Sequence, residues 1–270
     1  MCCPPRKTKI NTPRRSSVLK KLASKTLIGL SVSAVLSASA MAKDVVVDVY
    51  YTASAAARSF DIKTEIKNMV AASNANYAKN NLDINLVLAW EGDNQTSTNY
   101  IASWSNIQSL YKNSQIRAWR DEYKADFVVV IGSSESTWRG TTCGIAGSIY
   151  GMDDVFPDHN TYQSYAYNIT ANDCGDTTLT FMHELGHNMG LGHSVRQGAE
   201  GGVYTWGVGY GVDNQFATIM AYPQEFNTTN QLSYFSNPGF SLSGEPIGVS
   251  NVADAQRALE LVTNQIAAFK

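Results

Sequence analysis

The chain has 270 residues, 44% of them apolar and only 16% charged, which excludes a disordered polymer and leaves material for one large core or two modest ones. Residues 1–42 hold eight of the 21 basic residues and no acid, so the rest carries 13 basic against 23 acidic residues, a net charge of −10. A body that acidic repels phosphate backbones and anionic lipid, which argues against nucleic acid as a partner.

The first 42 residues read as a secretory signal peptide. A basic stretch leads into an apolar run over 27–36 and then into Ala38-Ser39-Ala40-Met41-Ala42, the order of a basic, an apolar and a small-residue region. The apolar run is well short of the roughly 20 residues that span a bilayer, so no permanent membrane anchor is expected. Cleavage after Ala42 makes Lys43 the first mature residue of a secreted, extracellular protein, with the periplasm as the alternative. Residues 43–270 show no repeat and no Pro/Gly-rich linker, so one domain and a monomer are expected.

In chain order, 45–51 is β-branched and aromatic, a strand. Residues 60–79 read as a long helix, with Ile62, Ile66, Met69 and Val70 at helical spacing. Strands are expected over 82–90 and 126–131, with a helix between them at 107–123 that breaks near Asn113. Residues 145–150 and 162–169 look like shorter, more exposed strands, and 177–190 like a helix. From 192 to 248 glycine, asparagine and aromatics dominate with little periodicity. Val252, Ala255, Leu259, Val262, Ile266 and Phe269 then mark an amphipathic closing helix. The fold class is α/β: a twisted, mostly parallel sheet with helices, followed by an irregular C-terminal subdomain. Behind the leader two cysteines remain, Cys143 and Cys174. An even count in an exported chain reads as one disulfide, with two buried thiols as the alternative.

The chemistry lies in His183-Glu184-Leu185-Gly186-His187-Asn188-Met189-Gly190-Leu191-Gly192-His193. Residues four apart on a helix lie one above the other, so His183 and His187 project together and can reach one metal ion. Glu184 falls beside them, able to reach a metal-bound water without being a ligand. Gly190 can take positive φ, ending the helix and bringing His193 round as a third nitrogen. Three neutral nitrogens and an open fourth position make one catalytic zinc site. Calcium sites are not readable from the sequence. His159, the remaining histidine, lies in a polar stretch and reads as a solvated surface residue.

This motif resembles that of the metzincin clan of zinc endopeptidases, and Thr218-Ile219-Met220-Ala221-Tyr222 resembles the clan's Met-turn. Within the clan, residues 47–52, 218–222 and 234–238 look most like bacterial reprolysin-like enzymes and the peptidyl-Asp metallopeptidase family. The resemblance implies a zincin-like α+β fold over 45–269, with Met220 as a hydrophobic floor beneath the metal. It implies a secreted endopeptidase in which Glu184 is the general base and Tyr222 a switchable ligand or oxyanion donor. Protein or peptide substrates would lie extended along a sheet edge at 144–150. Two departures stand out: Ser194 replaces the aspartate that reprolysins usually carry after the third histidine, and no blocking pro-segment is expected between the cleavage site and the first strand. The alternative function is a secreted zinc-containing protein- or peptide-binding module that does not cut.

Aspartate after the scissile bond would need a cation, and only Arg196 and Arg139 are placed to supply it. Tyr222, Phe226, Leu232, Tyr234 and Phe235 instead predict an apolar residue there.

Overall fold

A computed structural model of the chain describes residues 41–89, 94–138, 140–149 and 154–270. Residues 1–40, where most of the signal peptide is expected, lie outside the described residues, as do Trp90, Arg139 and Tyr150. In chain order the first elements are β1 (Lys43–Tyr51), α1 (Ala53–Arg58), α2 (Ile62–Lys79), β2 (Ile84–Leu88), α3 (Trp104–Lys112), α4 (Ser114–Tyr123) and β3 (Phe127–Gly132). A hairpin of β4 (Glu135–Thr137) and β5 (Gly140–Thr142) follows, then β6 (Gly144–Ala146), the single turn α5 (His159–Tyr162), β7 (Tyr167–Ala171) and α6 (Thr177–Asn188). The last stretch holds β8 (Gly211–Val212) and β9 (Phe216–Ala217), β10 (Asn237–Leu242) and β11 (Glu245–Ile247), and α7 (Ala255–Ile266).

The main sheet has the order β2-β1-β3-β7-β6. Its first four strands are parallel, and β6 runs antiparallel to β7 with Ile145 opposite Ile169. This is the α/β fold with a mostly parallel sheet that the sequence predicts. Val45, Val47, Val49, Phe127, Val129 and Ile131 are buried along the central strands. The helix ends follow their caps. Asp61 accepts from the N–H groups of Lys63 and Thr64 to start α2. Asn113 closes α3 and, by accepting from Gln115 and Ile116, opens α4, which is the predicted break.

The helix expected over 60–79 is α2, begun at Ile62 by the Asp61 cap. A separate short helix, α1, precedes it, capped by Thr52 through the Ala55 N–H and ended where the chain turns extended at Ser59. Two expectations need correction. The strand placed at 162–169 and read as exposed is β7, shifted to Tyr167–Ala171 and buried at every position. Its polar residues misled: Asn168 lies in the core because its amide donates to Asn188 Oδ1 at 2.8 Å. His159 is half-buried rather than a fully solvated surface residue: its ring packs edge-on against Phe269 at 5.4 Å and burial lowers its pKa to about 4.

Candidate metal centre and cleft

Asp176 caps α6 by accepting from the Leu179 N–H. Met182, Leu185 and Met189 hold the helix in the core, and Asn188 at its end donates to the carbonyls of Gly147, Tyr165 and Tyr167. Asn188 thereby ties the helix to β7 and to the end of β6. That role is invisible in a motif read for ligands alone. Gly190 has φ +90°, and a Cβ there would lie 2.6 Å from Val203 Cγ2, so conformation and packing both demand glycine.

The turn at Gly190 brings His193 against His183 and His187. Their Nε2 atoms are 3.2 Å apart for His183 and His187, 3.1 Å for His183 and His193, and 3.0 Å for His187 and His193. His183 Nδ1 donates to the Ile219 carbonyl at 2.7 Å and His187 Nδ1 to the Leu191 carbonyl at 2.9 Å. A neutral imidazole carries one ring proton, so these two Nε2 atoms turn bare lone pairs toward each other. Such an arrangement is repulsive on its own and is relieved by a shared cation. Two imidazole nitrogens on one tetrahedral zinc lie about 3.3 Å apart, so the donor set fits that ion. Among the described residues this is the one group of three or more His, Cys, Asp or Glu that could hold a metal. Burial lowers the pKa of all three, His193 to about 4, with the neighbouring histidines adding to the effect at His187 and His193. They are therefore neutral at pH 7, as ligation requires.

Glu184 is buried beside the histidines, and burial alone pushes its carboxyl up to about 8. Tyr222 lies across from it: its ring centroid is 4.5 Å from that of His193, and burial and then the Glu184 charge raise its hydroxyl to about 12. Met220 is fully buried below α6, where a Cβ on Gly186 would come 2.5 Å from its Sδ. Ser194 donates through Oγ to Gln197 Oε1 at 2.7 Å, and the same oxygen accepts the Tyr222 N–H at 3.2 Å. Gln197 thus links the third histidine's neighbour to Tyr222. The Ser-x-x-Gln spacing of a capping box was the available sequence signal for it.

Strand β6 is the sheet's outer edge. Cys143 O and Gly147 N bond toward β7, so by alternation Gly144 and Ala146 turn their N–H and C=O groups into the cleft. Cys143 is joined to Cys174 by a disulfide, Cα to Cα 5.3 Å, which pins the start of this edge to the segment before α6. Two cavities share Gly144, Glu184 and Tyr222. One, of about 630 Å³, runs past Ala146, His193 and Glu200; the other, of about 470 Å³, runs past Leu179, Thr180, Gln224 and Gln231.

The lining differs from the aromatic one expected. Phe226 and Phe235 are buried in the core, and of the five apolar residues named only Tyr222 lines either cavity. Arg196 lines neither; it pairs with Asp213, donates to the Glu225 carbonyl at 2.8 Å and lies over the Phe226 ring. Arg139 is outside the described residues.

Comparison with known proteins agrees with the site. The family model described as metallo-peptidase family M12B, reprolysin-like, matches residues 63–194. The chain is 34% identical over 257 residues to a peptidyl-Asp metalloendopeptidase of Pseudomonas aeruginosa, covering 89% of this chain and 43% of that protein. It is 29% identical over 227 residues to one of Stenotrophomonas maltophilia, covering 81% and 50%. The chain therefore spans about half the length of the curated relatives it matches. A chain in a solved chaperone-substrate complex is similar with a TM-score of 0.63 at 17% identity, over 85% of this chain and 35% of that one, which is a likeness of fold.

Proposed function

We propose that this chain, which carries a reprolysin-like metallopeptidase domain of family M12B, is a secreted zinc endopeptidase whose catalytic domain is residues 43–270. The observation that carries the reading is the convergence of three Nε2 atoms within 3.0–3.2 Å beside a buried carboxylate on an open cleft. His183, His187 and His193 would hold the ion. When bound, zinc supplies Lewis acidity, which polarises a scissile carbonyl and makes water a nucleophile near neutral pH.

The chain's own residues do the rest. Glu184 takes the proton of the attacking water and delivers it to the leaving amine nitrogen. Burial raises its pKa, and a cation held by the histidines would act the other way, favouring the ionised form. Tyr222, neutral because its hydroxyl titrates at about 12, donates a hydrogen bond to the developing oxyanion. The substrate adds an extended strand to β6, paired with Gly144 and Ala146, which sets its scissile bond beside Glu184. Export is supported by the signal-like order of residues 1–42 and by the Cys143–Cys174 disulfide, a feature of oxidising compartments. No helix among the described residues is long and apolar enough to cross a membrane.

The polar lining of the smaller cavity supports a polar residue after the cut, held by Thr180, Gln224 and Gln231. Casein digestion with and without a chelator, followed by sequencing of the products, tests both parts. Chelator-sensitive cleavage with polar new amino termini supports the reading. Stoichiometric zinc without cleavage would instead indicate a binding module.

A further inference from the structure

We infer that Gly144 is a positioning residue: its lack of a side chain sets where the Glu184 carboxylate sits. The inference rests on the reading of Glu184 as the proton acceptor and names what holds it in place. A Cβ on Gly144 would collide with Glu184 Oε1 and come 2.6 Å from both Cδ and Cγ. Contact with Cγ as well as the carboxyl means that the whole side chain, not only its tip, is packed on the strand backbone. The backbone conformation of Gly144 is not the reason for glycine, because it is not among the positive-φ residues. Space is the reason.

Neither partner can retreat freely. Gly144 faces Thr170 in the β6–β7 ladder, and the Cys143 carbonyl before it accepts from Ala171 N at 2.8 Å. Cys143 is also bonded to Cys174, two residues before the Asp176 cap of the helix that carries Glu184. Strand and helix are thus joined covalently at this end, and the gap between them is the width of a glycine. A methyl group at residue 144 displaces Glu184 rather than the strand. The three nearest atoms that a Gly144 Cβ would meet all belong to Glu184 and none to a histidine. Metal binding and proton transfer should therefore separate.

The test compares the zinc-loaded chain with Gly144→Ala, Glu184→Ala and the double variant. Gly144→Ala should keep one zinc per chain and lower kcat about 100-fold, the scale of an ångström-sized misplacement, with KM within about threefold. Its melting temperature should fall in the parent chain and not in the Glu184→Ala background, where the methyl group enters the space left by the carboxylate. An equal fall in both backgrounds, or a parent-like kcat in Gly144→Ala, overturns the inference. The melting comparison needs no turnover, so it reports the contact even if Glu184→Ala proves fully active, the result that would defeat the functional reading.

Discussion

The Nδ1 atom of His183 donates to the carbonyl oxygen of Ile219 at 2.7 Å, so the first histidine of the helix is oriented by the residue before Met220. His187 is fixed in the same sense by the carbonyl of Leu191, its own chain four residues on. Both bonds leave Nε2 unprotonated and able to bind a metal ion, and outer partners of this kind typically raise ligand basicity and lock the ring. Nitrogen-15 NMR of the metal-free chain should show the Nδ1–H tautomer at His183 and His187. Protons on Nε2 would contradict the assignment.

Removing the Cys143–Cys174 bridge should cost stability. The residues are 31 apart, and closing a loop of that length contributes about 3–4 kcal/mol in the chain-entropy model. The Cys143→Ser, Cys174→Ser double variant should unfold at a clearly lower temperature, measured by calorimetry. An unchanged midpoint would mean that β6 is held by the sheet alone.

Asp48 gives the pH dependence of stability a definite sign. It is fully buried, with Oδ2 accepting from the Tyr50 hydroxyl at 2.6 Å and Oδ1 without a partner among the described residues. Burial raises its pKa from 3.8 to about 6, opposed only in part by the Tyr50 bond. The folded chain therefore holds this proton more tightly than the unfolded one. The contribution is fully present below pH 3.8 and is lost as pH rises through 6. Above pH 6, Asp48→Asn should be more stable than the parent by about 1–3 kcal/mol, the gain vanishing toward pH 4. Melting curves across that range decide it; a less stable Asn variant at pH 7 would show that Oδ1 has a donor after all.

Arg196→Ala should leave the cleavage sites unchanged. Its guanidinium is engaged by Asp213 and the Glu225 carbonyl and lines neither cavity of the cleft. Identical product termini from parent and variant are the expected result, and a lost aspartate preference would place this cation in the substrate's path.

The sequence was most legible where local chemistry decides structure. The break at Asn113, the amphipathic α7 and the stop at Gly190 each follow from one residue's hydrogen bonds or backbone freedom. The histidine spacing was legible for the same reason, because a helix and one turn bring the three rings together. Legibility failed where long-range partners decide. Tyr167–Ala171 looks exposed until Asn188 is seen to satisfy Asn168, and His159 looks solvated until Phe269 covers it. The β4–β5 hairpin beside the cleft carries too few residues to show a period. Phe226 and Phe235 were assigned to the substrate pocket by proximity in sequence, whereas the fold places them inward.

The most direct test of the account is zinc content measured together with casein cleavage in Glu184→Gln. The account predicts one zinc per chain, since His183, His187 and His193 are untouched, and turnover lower by several orders of magnitude, since the proton acceptor is gone. Near-parent cleavage by that variant, or a parent chain that cuts without zinc, would contradict it.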